Sequence, residues 1–137
     1  MAVNYAALSS LMSGVRAISN IELSKIEAQG IRAQADFQAR MNRANARIAE
    51  TRAREVRQQG ASDAARIYGQ AQRVKGSQKA SFAGQNVRVG SGVAKKIEQE
   101  TDLLAAIDMQ NTKNNAWREA WGIETQAMGM QTKADLA

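Results

Sequence analysis

The sequence predicts an all-α chain folded as a helical hairpin and assembled in an oligomer. It reads as a long first helix, a glycine-rich turn near residues 83–92 and a second, antiparallel helix. Three observations predict this. Proline is absent from all 137 residues, and one internal proline would cost a helix about 3 kcal/mol. The segment Ser81–Gly92, SFAGQNVRVGSG, sets Gly84, Gly90 and Gly92 between two charged, alanine-rich stretches. Residues 28–97 carry fourteen Lys/Arg against four Asp/Glu, whereas residues 98–137 carry three against seven. A basic limb and an acidic limb joined by a short turn gain by folding back on each other.

Residues 1–27 form a first segment, uncharged at its start and mixed beyond. On a helix Leu8, Leu11, Met12, Val15, Ile18 and Ile21 recur at three- and four-residue steps, with Ser9, Ser13, Arg16 and Asn20 largely opposite. The stripe suits packing against a sister subunit, or contact with a bilayer after oligomerisation. It lacks the basic start and strong apolar run of a signal peptide, and no run of about twenty apolar residues exists for a membrane span.

Residues 28–137 form the hairpin, divided into a basic helix (28–82), a loop (83–92) and an acidic helix (93–132). The first helix is expected from Tyr5 to about Ala80. Phe37, Met41, Ala44, Ile48, Val56, Ala64, Ile67, Ala71 and Val74 step at helical intervals and predict its seam. Gly30, Gly60, Gly69 and Gly76 weaken it by about 1 kcal/mol each relative to alanine, so breaks are expected at Gly30 or Gly60. Gly84, Gly90 and Gly92 permit the turn, and Ser91 is a candidate N-cap. The second helix carries Val93, Ile97, Leu104, Ile107, Trp117 and Trp121 on its apolar positions. Alanine dominates the apolar content and aromatics are only 4 %, which makes a thin core that calls for neighbours.

The polar residues of the second limb, Thr101, Asp102, Asp108, Asn111, Asn114 and Asn115, fall on or beside this seam. Buried polar groups need partners, so such residues fix register between helices. A turn near residue 87 brings Arg73 level with Asp102, and Arg66, Arg73 and Lys75 are the candidate partners of Asp102 and Asp108. The alternative is that these are solvated charges. Trp117 and Trp121, four apart, share a helix face and anchor either a partner surface or the hairpin's own core.

Several chemistries are excluded. There is no Cys and no His, hence no thiolate nucleophile, no imidazole base and none of the commonest transition-metal ligands. Glu98, Glu100 and Asp102 splay around a helix rather than converge. The glycines follow neither the Walker nor the dinucleotide spacing. The chain reads as a non-enzyme without cofactor or metal. Arg32, Arg40, Arg43, Arg47, Arg52, Arg54 and Arg57 could neutralise phosphates non-specifically. They read as surrounding the helix, however, with no aromatic interleaved between Arg40 and Arg57 for base stacking.

One ordered set of residues carries a resemblance. It runs through Gly60, Ala64, Gly69, Gln70, Gly76, Gln78 and Ala80–Phe82, then Gly84, Val87, Gly90, Ser91 and Gly92. Thr101, Asp102 and Asp108 follow, and Asn115–Gly122, NAWREAWG, closes it. Over Gln58–Gly122 this resembles the small internal virion, or ejection, proteins of short-tailed phages, of the kind called internal virion protein B in T7-like phages. The resemblance implies a protein packaged in the capsid core near the portal, among other internal virion or portal proteins. It implies release during infection into a channel across the host envelope, with contact at the outer membrane. The competing readings are a purely structural head or portal- or tail-associated protein, and a basic DNA-packing protein.

Overall fold

The computed structural model describes the backbone of residues 5–136 and the side chains of residues 13–136. It is all-helical there: α1 spans Tyr5–Gly84 and α2 spans Gly92–Leu136. The chain divides into two compact units, one of residues 1–44 with 131–137 and one of residues 45–130. In the larger unit the two helices run antiparallel, as the pairs Arg57–Glu124, Lys75–Asp102 and Lys79–Glu98 require. The first helix passes through Gly30 and Gly60 without a break, contrary to the sequence expectation, and both helices end four residues later than expected.

Alanine forms the buried face. Ala39, Ala46, Ala53, Ala64 and Ala71 of α1 are buried, as are Ala94, Ala120, Ala127 and Ala134 of α2, and no large side chain is fully enclosed. The large apolar residues assigned to the seam mostly point outward: Phe37, Met41, Ile48, Val74, Val93, Leu104, Ile107, Trp117 and Trp121 are exposed. Val56, Ile67 and Ile97 are half-buried. The reason is the closeness of the helices. A Cβ built on Gly60 would overlap the Cβ of Ala116 and would lie 3.7 Å from the Thr112 carbonyl oxygen. At this crossing there is room between the helices for hydrogen or methyl and nothing larger. Gly60 thus survives mid-helix because packing against Ala116 offsets its poor propensity.

The inward positions change period along each helix. In α1 they step 35, 39, 42, 46, 49, 53 in alternating fours and threes. They continue 56, 60, 64, 67, 71, 75, 78, 82 in an eleven-residue pattern. In α2 the eleven-residue pattern runs 98, 101, 105, 109, 112, 116, 120 and gives way to sevens at 120, 127 and 134. Seven-residue repeats wind left-handed and eleven-residue repeats slightly right-handed.

The turn ends α1 with a left-handed residue other than the expected glycine. Gly84 lies in the helix's last turn, and Asn86 takes the positive φ of 59°. The Val87 N–H donates to the Phe82 carbonyl at 2.9 Å and the Asn86 N–H to that of Ala83 at 3.2 Å. This is the paired pattern of a Schellman cap, in which asparagine substitutes for glycine at the left-handed position. Gly90 and Gly92 have φ of 81° and 59°, where a side chain would be strained. Ser91 donates from Oγ to the Arg88 carbonyl at 3.5 Å.

Gly60→Ala should lower the thermal midpoint although alanine is the better helix former. Overpacking of about 1–3 kcal/mol opposes a propensity gain of about 1 kcal/mol. Adding Ala116→Gly should recover most of the loss. Gly30→Ala, where an added Cβ meets nothing within 4 Å, should stabilise. Thermal unfolding followed by circular dichroism at 222 nm checks all three.

Candidate functional site

No enclosed pocket dominates the described residues, and no group of acidic residues among them could hold a metal ion. The candidate site is therefore a surface, built on one flank of the hairpin in residues 45–130. At its centre the Arg57 guanidinium sits 4.4 Å from the Trp117 ring centroid and bonds Glu124 at 2.8 Å. Both charged side chains of that pair are less than a third exposed, so solvent screens it less than the other pairs. The Arg57 Nε is enclosed without an acceptor. Beside it Glu50, Arg54, Arg57, Trp121, Glu124 and Met128 line an open depression of about 500 Å³. Trp117 and Trp121 are exposed by 58 % and 64 %, so they form this flank and are no part of the hairpin's core.

The same flank carries the remaining interhelical ion pairs of this unit. Lys75 Nζ donates to both Asp102 oxygens at 2.9 and 2.8 Å, and Lys79 Nζ lies 3.8 Å from Glu98. In the smaller unit Arg43 meets Asp135 at 3.4 Å. In every case α1 supplies the cation and α2 the anion. Of the three candidate partners, Lys75 takes Asp102; Arg73, which the sequence places level with it, does not, because the turn is centred between residues 88 and 89 rather than at 87. Arg73 and Asp108 are exposed and stand in no ion pair, while Arg66 pairs with Asp63 of its own helix at 3.2 Å. Thr101 meets Gln78 at 3.2–3.3 Å, whereas Asn111, Asn114 and Asn115 are exposed.

The opposite flank holds a notch of about 350 Å³ where Gly60 meets Ala116, edged by Gln59, Asp63, Asn115 and Glu119. Of the N-terminal stripe, Val15, Ile18 and Ile21 are exposed at 66 %, 60 % and 54 %. Leu8, Leu11 and Met12 fall outside the described side chains. Among the described residues no helix is long and apolar enough to cross a membrane. Of the arginine row, Arg40, Arg47 and Arg54 follow one another at seven-residue steps and are exposed. Arg47 and Arg54, both in the larger unit, share one face of α1, and among the described residues none of the three stands in an ion pair. The chain matches no known family model, no curated protein sequence and no solved structure.

Bonding to Asp102 holds the Lys75 ammonium above its ordinary pKa of 10.5. A proton bound more tightly when folded stabilises the fold below the unfolded pKa, and that contribution is lost as pH rises through the raised value. The midpoint difference between the native chain and Lys75→Gln should therefore persist at pH 7–9 and shrink above about pH 10.5. Lys75→Asp should lower the midpoint, and Lys75→Asp with Asp102→Lys should recover much of it; thermal melts across pH decide both.

Proposed function

We propose that this chain is a structural subunit that works by lateral self-association, in the role of a phage internal virion, or ejection, protein. The observation that carries the self-association is the inversion of its apolar residues. Alanine fills the buried face while Trp117, Trp121, Met128, Leu103, Leu104, Ile107, Phe37 and Ile48 stay exposed. A second layer of protein would cover such a surface, and exposed apolar area of this extent marks an interaction site.

The virion role is supported by the resemblance over Gln58–Gly122. In that role the hairpins pack in the capsid core beside other internal virion or portal proteins, and later line a passage across the host envelope. The Val15, Ile18 and Ile21 face is the segment suited to the outer membrane, once several copies present it together. A DNA-packing role is the second reading, carried by the exposed Arg47 and Arg54; it requires duplex affinity that collapses as salt rises.

Native mass spectrometry of the full chain should give a discrete oligomer. Liposome flotation should carry it upward, and a version lacking residues 5–21 should still assemble but stay in the bottom fraction. An oligomer that ignores lipid would leave a purely structural virion role. A monomer at all concentrations would end the self-association reading.

A further inference from the structure

We infer that two copies of this chain associate through the depression beside Trp121. The pairing is two-fold and antiparallel, with Glu50 of each copy meeting Arg54 of the other. This deepens the self-association reading and rests on it. The charges lining the depression divide into two sets. Arg57 and Glu124 neutralise each other at 2.8 Å within one chain. Glu50 and Arg54 are exposed, sit four residues apart on α1, and stand in no ion pair among the described residues.

One carboxylate and one guanidinium one helical turn apart make a self-complementary pattern. A two-fold axis passing between them, perpendicular to α1, sets Glu50 opposite Arg54 of the second copy twice over. Parallel side-by-side packing would instead set like charges against each other. Two arginine–carboxylate contacts give orientation as well as affinity, because the guanidinium fork matches a carboxylate.

The apolar area needed lies alongside. Trp121 and Met128 are 64 % and 57 % exposed, and Leu103, Ile107 and Trp117 present further area on the same outward side of α2. A stable interface buries roughly 800 Å² per partner, and each tryptophan supplies about 150–250 Å² when covered. Trp117 is already oriented by the Arg57 guanidinium, so little side-chain freedom is lost at that indole on docking.

The test uses full-length chains in analytical ultracentrifugation, with circular dichroism confirming that helix content is kept. Glu50→Arg and Arg54→Glu each place like charges together and should weaken self-association by at least about tenfold. An equimolar mixture of the two single variants should associate, because each supplies the charges the other lacks. The double variant, Glu50→Arg with Arg54→Glu, should associate as the native chain does. Single variants that associate as tightly as the native chain, or a mixture no stronger than its components, would overturn the pairing. If the native chain assembles and the single variants match it, only this pairing falls; a native chain that stays monomeric removes the self-association reading with it.

Discussion

The contact between Gly60 and Ala116 sets the terms for everything else in the larger unit. Where two helices approach until an added methyl would overlap, only glycine and alanine fit, and the buried apolar side chains of the seam are all alanine. Each buried methyl contributes on the order of 0.8 kcal/mol, and ordering two long helices opposes that gain. Most of the large apolar side chains on these helices are left facing solvent, and a few, such as Val56, Ile67 and Ile97, are half-buried at the margin. The thin core and the exposed tryptophans are one consequence seen from two sides.

Away from Gly60, an alanine seam carries little register information. Alanine can meet alanine at several offsets, so apart from the Gly60–Ala116 contact, where a slip would bring a side chain against Ala116, packing along the seam does little to fix the offset. Polar contacts at the margin supply what the seam omits. Lys75–Asp102, Lys79–Glu98 and Arg57–Glu124 hold one alignment, and Thr101 with Gln78 adds a neutral hydrogen bond on the other side of the seam. Exposed ion pairs contribute little stability, but a slip would put several of them out of reach at once. The uniform polarity, with cations on α1 and anions on α2, also favours pairing between the two limbs over pairing of either limb with itself.

The hairpin was legible in the sequence because its signals are global: no proline, a glycine cluster, and opposite charge on the two limbs. The seam departs from the sequence expectation for a physical reason. Phe37, Met41, Ile48 and Val74 have helical spacing and the larger transfer free energies, but the inward face selects for small size, and these four are exposed. The informative series was the small residues at seven-residue steps, Ala39, Ala46, Ala53 and Gly60 against Ala120, Ala127 and Ala134. Spacing reveals that series, and a hydrophobicity ranking hides it. Arg73 failed as the partner of Asp102 because a turn centre displaced by one or two residues rotates a different side chain into reach. The left-handed role of Asn86 was hidden by the nearby glycines. The Glu50–Arg54 arrangement needed the structure, since only an explicit fold shows which charges their own chain already neutralises.

The distribution of contacts bears on how such a subunit would work. In the proposed role, a chain whose internal seam is shallow, and whose large side chains mostly face outward, would derive much of its order from its neighbours. Change the neighbours, and the same hairpin has a different set of partners without having to open a hydrophobic core. The change from eleven- to seven-residue repeats beside the Arg57–Glu124 pair acts in the same direction. Segments of opposite preferred winding joined in one helix partly cancel each other's supercoil, so side-by-side copies need not share a tight common twist. In the proposed role, where the same copies pack first in a capsid core and later around a passage, those are the properties required. Such a role would place strength between subunits, while within the hairpin the marginal ion pairs hold one register.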